Sequence, residues 1–479
     1  MQPSTERVLT IFETINAIPR CSSKERALSD WLVGWASERQ LVCERDEMLN
    51  VLIRVPGTGE AADAAPVAFQ GHLDMVCEKT PDSEHNFDAD PIRSMTEGEW
   101  LTADRTTLGA DNGIAIALAL AVAEDEEIVH PPLELLFTVD EETGLTGAQK
   151  LSPDWLQAKT LLNLDSEDEG VFTIGCAGGL GSVISVPISH VAPDSGFEFV
   201  KLAVSGLQGG HSGVDIHHDR ANANVLAARV ALDLLEKFGA AIAEFHGGSA
   251  HNAIPRDSHV VLGLKPPHMD DARTLVSAWQ RILSGEYAST DPNLTVELRE
   301  AQRPERIFDD DSAGRIMDIL MGLPHGVVRM SREIAGLVET STNLATVRTA
   351  DGKVEIDTSQ RSSLESQLEA VAARVAAVAR LGGGSVRVVS RYPAWEPQAE
   401  STVLRKASEA YRELFDAEPS VEVIHAGLEC GVIGAKYPGM EMLSIGPTIQ
   451  MPHSPDERMH LPSLERLWEF LVHLLRTLR

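Results

Sequence analysis

The sequence contains few cysteines for its length. Five occur among its 479 residues, namely Cys21, Cys43, Cys77, Cys176 and Cys430. Their number is odd, their positions are scattered, and no pair has the C-x-x-C spacing of redox or zinc motifs. This pattern excludes a small secreted domain stapled by disulfides. It predicts reduced thiols in a cytoplasmic protein.

Basic side chains are also scarce. Asp and Glu total 72 against 41 Lys and Arg, which gives a formal net charge of -31. Such a negative field disfavours nucleic acids and anionic membranes as partners. We therefore expect a well-solvated surface, no nucleic acid and no membrane among the partners.

Long hydrophobic runs are absent as well. The longest candidate, residues 114–122, is too short to span a bilayer and ends near the acidic run 124–127. The first residues, MQPSTERVLTIFETI, carry charges where a signal peptide needs an apolar run. Hydrophobic residues nevertheless make up 43% of the chain, which is enough for the cores of two or three domains.

What the sequence does contain is a series of apolar strands that end in polar side chains. Three such runs are followed by candidate ligands: PVAFQGHLD supplies His72 and Asp74, FTVDEETG supplies Glu141 and Glu142, and LLNLDSE supplies Asp165. Helical patterns alternate with these strands, which predicts an α/β fold with a mixed, mostly parallel sheet flanked by helices. Because ligands gather at the carboxyl ends of parallel strands, we expect these side chains to lie close together.

Two further motifs add to this set. Asp111 lies in LGADNG and His453 in MPHSPDE. Glu167 is an alternative ligand to Asp165, and His460 is an alternative to His453. Asp111 begins an apolar helix, so it also fits the role of a helix cap. An oxygen-rich set with two imidazoles suits zinc or manganese. Five carboxylates and two histidines exceed the needs of one tetrahedral zinc, which indicates two metals, or one metal and an acid/base group.

Two local patterns suggest how this set divides its work. Glu141 and Glu142 are adjacent, and their mutual repulsion is relieved if a metal takes one and the other serves as a general base. His72 and Asp74 are two apart and face the same side of a strand, where Asp74 could accept the second ring nitrogen of a metal-bound His72. Alone, either pattern is also typical of an ordinary surface or turn.

The middle of the chain has a different pattern. A Gly-rich stretch at 176–186 is followed by strand–helix–strand units, with a hairpin signal at Asp351-Gly352. We predict a domain divided into residues 1–186 and 397–479, with an α+β domain, 187–396, inserted between them. His211 in GGHSG and Gly427 in HAGLECG lie where glycine permits close approach to a ligand. Asn252 in HNAIP and Arg361 in SQRSS could hold a peptide carboxylate.

Several of these motifs together resemble one family of peptidases. They are QGHLDMVCEK, LGADNGI, DEETGLTGA, NLDSE, GGHSG, HNAIPR and IGPTIQMPHSPDE, in this order between residues 70 and 460. They are similar to those of the peptidase-D type aminoacyl-histidine dipeptidases, also called Xaa-His or cytosol non-specific dipeptidases, within the two-metal aminopeptidase and carboxypeptidase clan. The resemblance implies metal-dependent hydrolysis of Xaa-His and other unblocked dipeptides by a cytoplasmic homodimer.

The resemblance also implies a role for each residue. His72 and Asp165 would hold one metal, Glu142 and His453 the other, and Asp111 would bridge the two ions. Zinc is the expected ion, with manganese or cobalt as alternatives. The remaining roles are orientation of His72 by Asp74, general base catalysis by Glu141, stabilisation of the oxyanion by His211, and substrate positioning by Asn252, Arg361 and Gly427. The inserted domain would act as a lid and dimerisation surface, and His211 could serve its own or a partner's active site.

Other functions stay open at this point. A tripeptidase or a deacylase of N-acyl amino acids would use the same metal ligands and differ only in its substrate pocket. A metal-binding scaffold protein is a non-enzymatic alternative. The presence of Glu141 disfavours it, because loss of the base is the simplest route to an inactive relative.

Overall fold

A computed structural model describes residues 3–332, 334, 336–398 and 400–478. These residues form two compact units. The first contains the described residues up to Cys176, the segment Trp395–Val423 and the residues from Leu428 onward; the second contains Ala177–Ala394 and Ile424–Gly427. The predicted boundaries, 186/187 and 396/397, stay a prediction. Assignment of the second unit as a lid stays a prediction.

Helices occur in both units. In chain order they are α1 (Pro3–Asn16), α2 (Arg26–Glu38), α3 (Ala110–Glu124), α4 (Glu141–Gly144), α5 (Thr146–Lys150), α6 (Ala223–Phe238), α7 (Met269–Glu286), α8 (Asp310–Gly322), α9 (Glu365–Leu381), α10 (Thr402–Phe415), α11 (Glu429–Lys436) and α12 (Leu461–Thr477). Short 3-10 turns occur at Gly59–Ala61, Ile216–His218 and Pro266–His268. Among the described residues, no helix combines the length and apolar character needed to cross a membrane.

Strands likewise occur in both units. In chain order they are β1 (Val42–Arg45), β2 (Val51–Val55), β3 (Val67–His72), β4 (Ser94–Glu97), β5 (Trp100–Ala103), β6 (Leu133–Thr138), β7 (Thr160–Asn163), β8 (Val171–Cys176), β9 (Gly178–Pro187), β10 (His190–Val191), β11 (Glu198–Ser205), β12 (Gly210–His211), β13 (Ala241–Gly247), β14 (Ala253–Ile254), β15 (Ser258–Leu264), β16 (Thr295–Glu300), β17 (Ile307–Phe308), β18 (Gly326–Met330), β19 (Val338–Ala350), β20 (Lys353–Ser362), β21 (Ser385–Tyr392), β22 (Ser420–Ile424), β23 (Glu441–Ser444), β24 (Ile449–Gln450) and β25 (Arg458–His460).

The main sheet of the first unit is mixed, as predicted. Its order is β1–β2–β6–β3–β7–β23–β8–β22. At the centre, β3 pairs in parallel with β6 and β7, and β23 pairs in parallel with β7. Toward the edges, β1–β2, β2–β6 and β23–β8 are antiparallel. The carboxyl ends of β3, β6 and β7 therefore share one edge, and every residue of β3 and β6 is buried.

A smaller sheet of the same unit presents the segment that contains His453. Its order is β24–β25–β5–β4. Ile449 pairs with Met459 and Gln450 with Arg458, so residues 451–457 form the loop between β24 and β25. His453 has a left-handed φ of 60° in this loop. The sheet thus fixes both ends of the loop.

The second unit is α+β, as predicted for the middle of the chain. Its main sheet runs β16–β11–β15–β13–β19–β20–β9–β21, with β18 paired to β19. Helices α6 and α8 pack their apolar faces on this sheet, and Val375 and Ala379 of α9 join the same core. The hairpin predicted at Asp351-Gly352 joins β19 to β20, and Gly352 takes the left-handed φ of 74° that such a turn favours.

The structure contradicts the prediction that all cysteines are reduced thiols. Cys21 and Cys77 form a disulfide across 56 residues of sequence, with Cα atoms 5.7 Å apart. The amide of Met75 donates to the carbonyl of Arg20, and this contact brings the two segments together. Pairing over such a separation depends on tertiary contacts that residue spacing does not reveal. Cys43, Cys176 and Cys430 remain thiols.

Candidate functional site

The predicted ligands of the first unit follow the central strands. His72 is the last residue of β3 and is 1% exposed. Asp165 lies two residues after β7, and Glu141 and Glu142 begin α4 directly after β6 and a short turn. Asp140 takes a left-handed φ of 54° at that turn. The shared strand edge therefore gathers these side chains, as expected from the parallel pairing.

One group of candidate ligands surrounds His72. Its Nε2 lies 3.1 Å from Asp111 Oδ1 and 3.3 Å from Asp165 Oδ1. These ligand atoms all lie within 4.8 Å of one another, close enough to share an ion. Glu167, the alternative to Asp165, joins no ligand group among the described residues. Burial beside Asp111 and Asp165 raises its pKa to about 8.

A second group surrounds His453. Its Nε2 lies 3.0 Å from Asp111 Oδ2 and 3.0 Å from Glu142 Oε1. The two oxygens of Asp111 thus face two different histidines, which is the arrangement a bridging carboxylate needs. His460, the alternative to His453, lies elsewhere, with its Nε2 3.7 Å from Glu99 Oε2.

Asp111 does not act as the cap of α3. The N-cap of α3 is Gly109, which has no side chain, and Asp111 and Asn112 have non-helical backbone angles. The carboxylate of Glu457 accepts the amides at this end of the helix instead. Asp111 is therefore left to face the two histidines.

The donor set fits divalent cations. Among the described residues, Glu142 Oε1 is a buried oxygen without a hydrogen-bond partner, although His453 Nε2 is only 3.0 Å away. A buried carboxylate oxygen without a partner is costly unless a cation accepts it. Two groups that share Asp111 and combine imidazole nitrogen with carboxylate oxygen suit two ions of the zinc or manganese type. Glu141 forms a further group with His72 and Glu142, whose ligand atoms lie within 4.8 Å of one another. Glu141 is therefore close enough to act as a base or as a ligand.

Burial controls the proton affinity of the carboxylates. It raises the pKa of Glu141 well above its usual range, with the charges of Asp165, Glu142 and Glu429 adding to the effect. Burial likewise raises the pKa of Glu142 and of Asp165. These carboxylates are therefore reluctant to ionise together without a cation.

The pKa values of the two histidines and of Asp111 shift so as to favour the charged forms. Burial opposes the charged form of His72, but Asp165, Asp111 and Asp74 outweigh it and raise its pKa well above the usual value. His453 behaves in the same way, and Asp111 and Glu142 raise its pKa to about 11. Although burial opposes its ionisation, Asp111 has a lowered pKa because both imidazoles donate to it. Metal binding to these histidines would therefore release protons.

Asp74 links His72 to the turn that carries the two glutamates. It is fully buried, and its Oδ1 lies 3.3 Å from His72 Nδ1. Its oxygens also accept the amides of Glu141 at 3.0 Å and Glu142 at 3.2 Å, and the hydroxyl of Ser22 at 2.8 Å. Despite the opposing effect of burial, these donors lower its pKa. His72 Nδ1 also lies 3.1 Å from the backbone carbonyl of Asp74. Asp74 thus contacts the ring through its carbonyl and its carboxylate, and it holds the turn through its carboxylate.

Three charged residues near this centre were missed by sequence reasoning. Glu429 is fully buried and accepts Gln70 Nε2 and Thr138 Oγ1, each at 2.6 Å, and burial raises its pKa to about 8. Arg20 and Glu457 are almost fully buried beside Asp111. Glu429 and Glu457 lie inside the motifs HAGLECG and PHSPDE, which was the available signal. Arg20 stands outside every motif.

The predicted substrate-binding residues lie in the second unit. His211 Nδ1 accepts the amides of Gly213 at 3.3 Å and Val214 at 3.0 Å. With Nδ1 as an acceptor, Nε2 is the ring nitrogen left to face Arg361. Arg361 is 8% exposed, with Nη2 3.4 Å from His211 Nε2 and Nη1 donating to the Tyr392 hydroxyl at 2.7 Å.

Asn252 and Gly427 join the same neighbourhood. The carbonyl of Asn252 accepts the amide of Ser212 at 2.8 Å, directly beside His211. A side chain on Gly427 would place its Cβ 2.7 Å from the ring of Tyr392, so only glycine fits there. His211, Arg361 and Gly427 are thus linked in one cluster with Tyr392, and Asn252 adjoins it through Ser212. Tyr392 belongs to this cluster and was not predicted, because its RYPAW context carries no catalytic motif.

Comparisons with known proteins identify the family of the chain. The sequence model of peptidase family M20/M25/M40 matches residues 68–477. A curated relative, the cytosol non-specific dipeptidase of Escherichia coli K12, is 41% identical over 475 residues, which is 99% of this chain and 98% of the relative.

Two solved structures of peptidases are similar to this chain. The aminoacylhistidine dipeptidase of Vibrio alginolyticus aligns with a TM-score of 0.87 and 38% identity, covering 100% of this chain and 97% of that one. A tripeptidase of Staphylococcus aureus aligns with a TM-score of 0.57 and 17% identity, covering 99% and 98% of the two chains. At that identity the second likeness concerns the fold alone.

Proposed function

Because the chain belongs to the M20/M25/M40 peptidase family, we propose that it is a metal-dependent dipeptidase that cleaves unblocked dipeptides, Xaa-His among them. The observation that carries this proposal is the pair of ligand groups that share Asp111, with Glu141 beside them. Their setting in a chain 41% identical to a dipeptidase over nearly its whole length selects the substrate class.

Each ion has a set of residues to hold it. His72 and Asp165 would bind one, Glu142 and His453 the other, and Asp111 both. Zinc is the expected ion, with manganese or cobalt as alternatives, since all three accept nitrogen and oxygen donors. When bound, such a pair lowers the pKa of water and polarises a carbonyl.

Glu141 is the general base of this proposal. Its pKa is raised by burial and by neighbouring carboxylates, so it holds a proton more tightly than an ordinary glutamate. A group of this kind can take a proton from the attacking water and return it to the leaving amine. Asp74 supports it by accepting the Glu141 amide at 3.0 Å.

The cluster in the second unit supplies donors for the substrate. His211 has its Nε2 beside the Arg361 guanidinium, and this pair suits stabilisation of an oxyanion. Arg361 Nε is buried and, among the described residues, has no hydrogen-bond partner. It therefore suits recognition of the substrate carboxylate. Asn252 and Gly427 complete the proposed set of residues that position the substrate.

The second unit is also proposed as lid and dimerisation surface of a cytoplasmic homodimer. The supporting feature is the edge strand β21, which exposes Val388 and Val389 by 54% and 48%. Exposed edges of this kind invite pairing with another chain. Sedimentation equilibrium is expected to give a dimer, and a monomer at all concentrations would contradict this part. Mixing Glu141→Ala and His211→Ala chains then shows whether His211 serves its own site or its partner's.

The substrate assignment is tested with metal-stripped protein before and after addition of zinc or manganese. The panel holds β-alanyl-histidine, an α-linked Xaa-His dipeptide, a tripeptide and an N-acetyl amino acid. Metal-restored cleavage of the dipeptides alone is expected. Cleavage of the tripeptide or the acetylated compound instead would assign the chain to a sister activity, and no cleavage at all would favour a metal-binding scaffold.

A further inference from the structure

Two buried charges lie behind the candidate metal centre and contact the segments that carry its ligands. Glu457 is 2% exposed and Arg20 is 1% exposed. Burial lowers the pKa of Arg20 only to about 10, so it stays charged. Groups this costly to bury are retained where their hydrogen bonds are needed. The proposed reaction assigns no step to either residue.

Glu457 holds a run of consecutive backbone amides. Its Oε2 accepts Leu108 at 2.7 Å and Gly109 at 2.9 Å, and its Oε1 accepts Ala110 at 2.8 Å and Asp111 at 3.3 Å. Glu457 ends the same loop, 451–457, that presents His453. One carboxylate thus joins the segment of Asp111 to the segment of His453.

Arg20 makes the corresponding link to the His72 segment. Its Nη1 donates to the carbonyls of Leu73 at 3.2 Å and Asp74 at 3.0 Å, and its Nη2 donates to the carbonyl of Gly109 at 2.5 Å. A Cβ on Gly109 would lie 2.5 Å from that nitrogen, so the residue must be glycine. The segments that follow β3 and precede α3 are therefore held together by one guanidinium.

We infer that Glu457 and Arg20 are positioning residues for the bridging carboxylate, and that Glu457 sets the spacing between Asp111 and His453. This inference rests on the proposed function. His72 and Asp165 follow strands held by sheet hydrogen bonds, whereas His453 lies in a loop that Glu457 fastens to the Asp111 segment. Loss of Glu457 should therefore weaken the ion held by His453 and Glu142 more than the ion held by His72 and Asp165.

The test measures metal binding to Glu457→Gln by calorimetry and elemental analysis. Outer-shell changes typically cost about 10- to 100-fold in metal affinity. We expect a loss of this size for one ion only. When free zinc lies between the wild-type and variant dissociation constants of that ion, the wild type should hold two ions per chain and the variant one, and turnover should recover when zinc is raised. A cap that is merely structural would lower thermal stability without this selective loss and without rescue by metal.

A matched control is Glu134→Gln. Glu134 is 3% exposed and its Oε2 accepts the amides of Gln157 and Ala158, each at 2.9 Å, without joining either ligand group. It should lose stability and keep both metal constants. If Glu457→Gln does not fold, Glu457→Asp is measured, because it keeps the charge and shortens the reach.

The outcomes separate this inference from the proposed function. Wild-type protein that fails to bind two ions contradicts the proposed function. Wild-type protein that binds two ions, together with a folded Glu457 variant whose two metal constants are unchanged, overturns only the positioning role. Equal weakening of both ions overturns the claim that Glu457 sets the spacing between Asp111 and His453.

Discussion

Raising the pH should destabilise the metal-free protein in the range from about pH 7.5 to about pH 9. Burial raises the pKa of Glu429 from 4.5 to about 8, and that of Glu167 likewise to about 8. A raised carboxylate pKa means that the unfolded chain ionises first. Its contribution to stability is then lost as the pH rises toward the folded value.

The histidines act in the same direction. His453 has its pKa raised from 6.5 to about 11, so its contribution is complete below 6.5 and is lost as the pH rises through about 11. His72 is raised as well. Buried histidines with lowered pKa, such as His425, are neutral in both states across this range. The folded state therefore holds more protons than the unfolded state throughout.

The magnitude follows from the number of protons retained. One retained proton corresponds to a loss of about 1.4 kcal/mol of unfolding free energy per pH unit. Even one net proton thus costs about 2 kcal/mol between about pH 7.5 and about pH 9. Several groups retain protons here, so this is the smallest loss we expect.

Urea unfolding of chelator-treated protein at several pH values measures this loss. Zinc-loaded protein should show a flatter dependence, because the cation replaces the protons on its ligands. Glu429→Gln is the matched variant, since its amide oxygen can still accept from Gln70 and Thr138 while the titrating proton is removed. Stability of the metal-free protein that stays constant or increases with pH over this range would refute the reasoning.

Three further results are expected. Unfolded, unreduced protein should show three titratable thiols, and reduction of Cys21–Cys77 should lower the unfolding free energy by about 4 kcal/mol for a loop of this length; five thiols without reductant would contradict the disulfide. Arg361→Lys should raise KM about tenfold or more with a smaller change in kcat, because the bidentate fork is lost; an unchanged KM would exclude Arg361 from carboxylate binding. Asp74→Asn should weaken metal binding by about 10- to 100-fold; unchanged metal constants would show that His72 needs no such support.

The gathering of ligands at one sheet edge was predictable because its cause is local. Each of β3, β6 and β7 is a short apolar run with a polar residue just after it, and parallel strands place such residues together. The hairpin at Asp351-Gly352 was predictable for a similar reason. Patterns of two or three residues were sufficient in both cases.

The features that the sequence did not reveal depend on long-range contacts. Glu457 accepts the amide of Leu108 across 349 residues, and Cys21 pairs with Cys77 across 56. Arg20 lies in no motif, and its role appears only when β3 and α3 are packed together. Spacing along the chain carries no information about such pairs, because the fold that joins them involves the whole unit.

Turnover and bound metal, measured on one preparation of Glu141→Ala, decide whether Glu141 is the base of a two-metal hydrolase. We predict two ions per chain and a turnover lower by about a hundredfold to ten-thousandfold, the usual contribution of a general base. Glu126→Ala, on an exposed acidic run, is the control and should change neither quantity. A Glu141→Ala protein that loses its metals would make Glu141 a ligand, and one that keeps wild-type turnover would contradict the proposed mechanism.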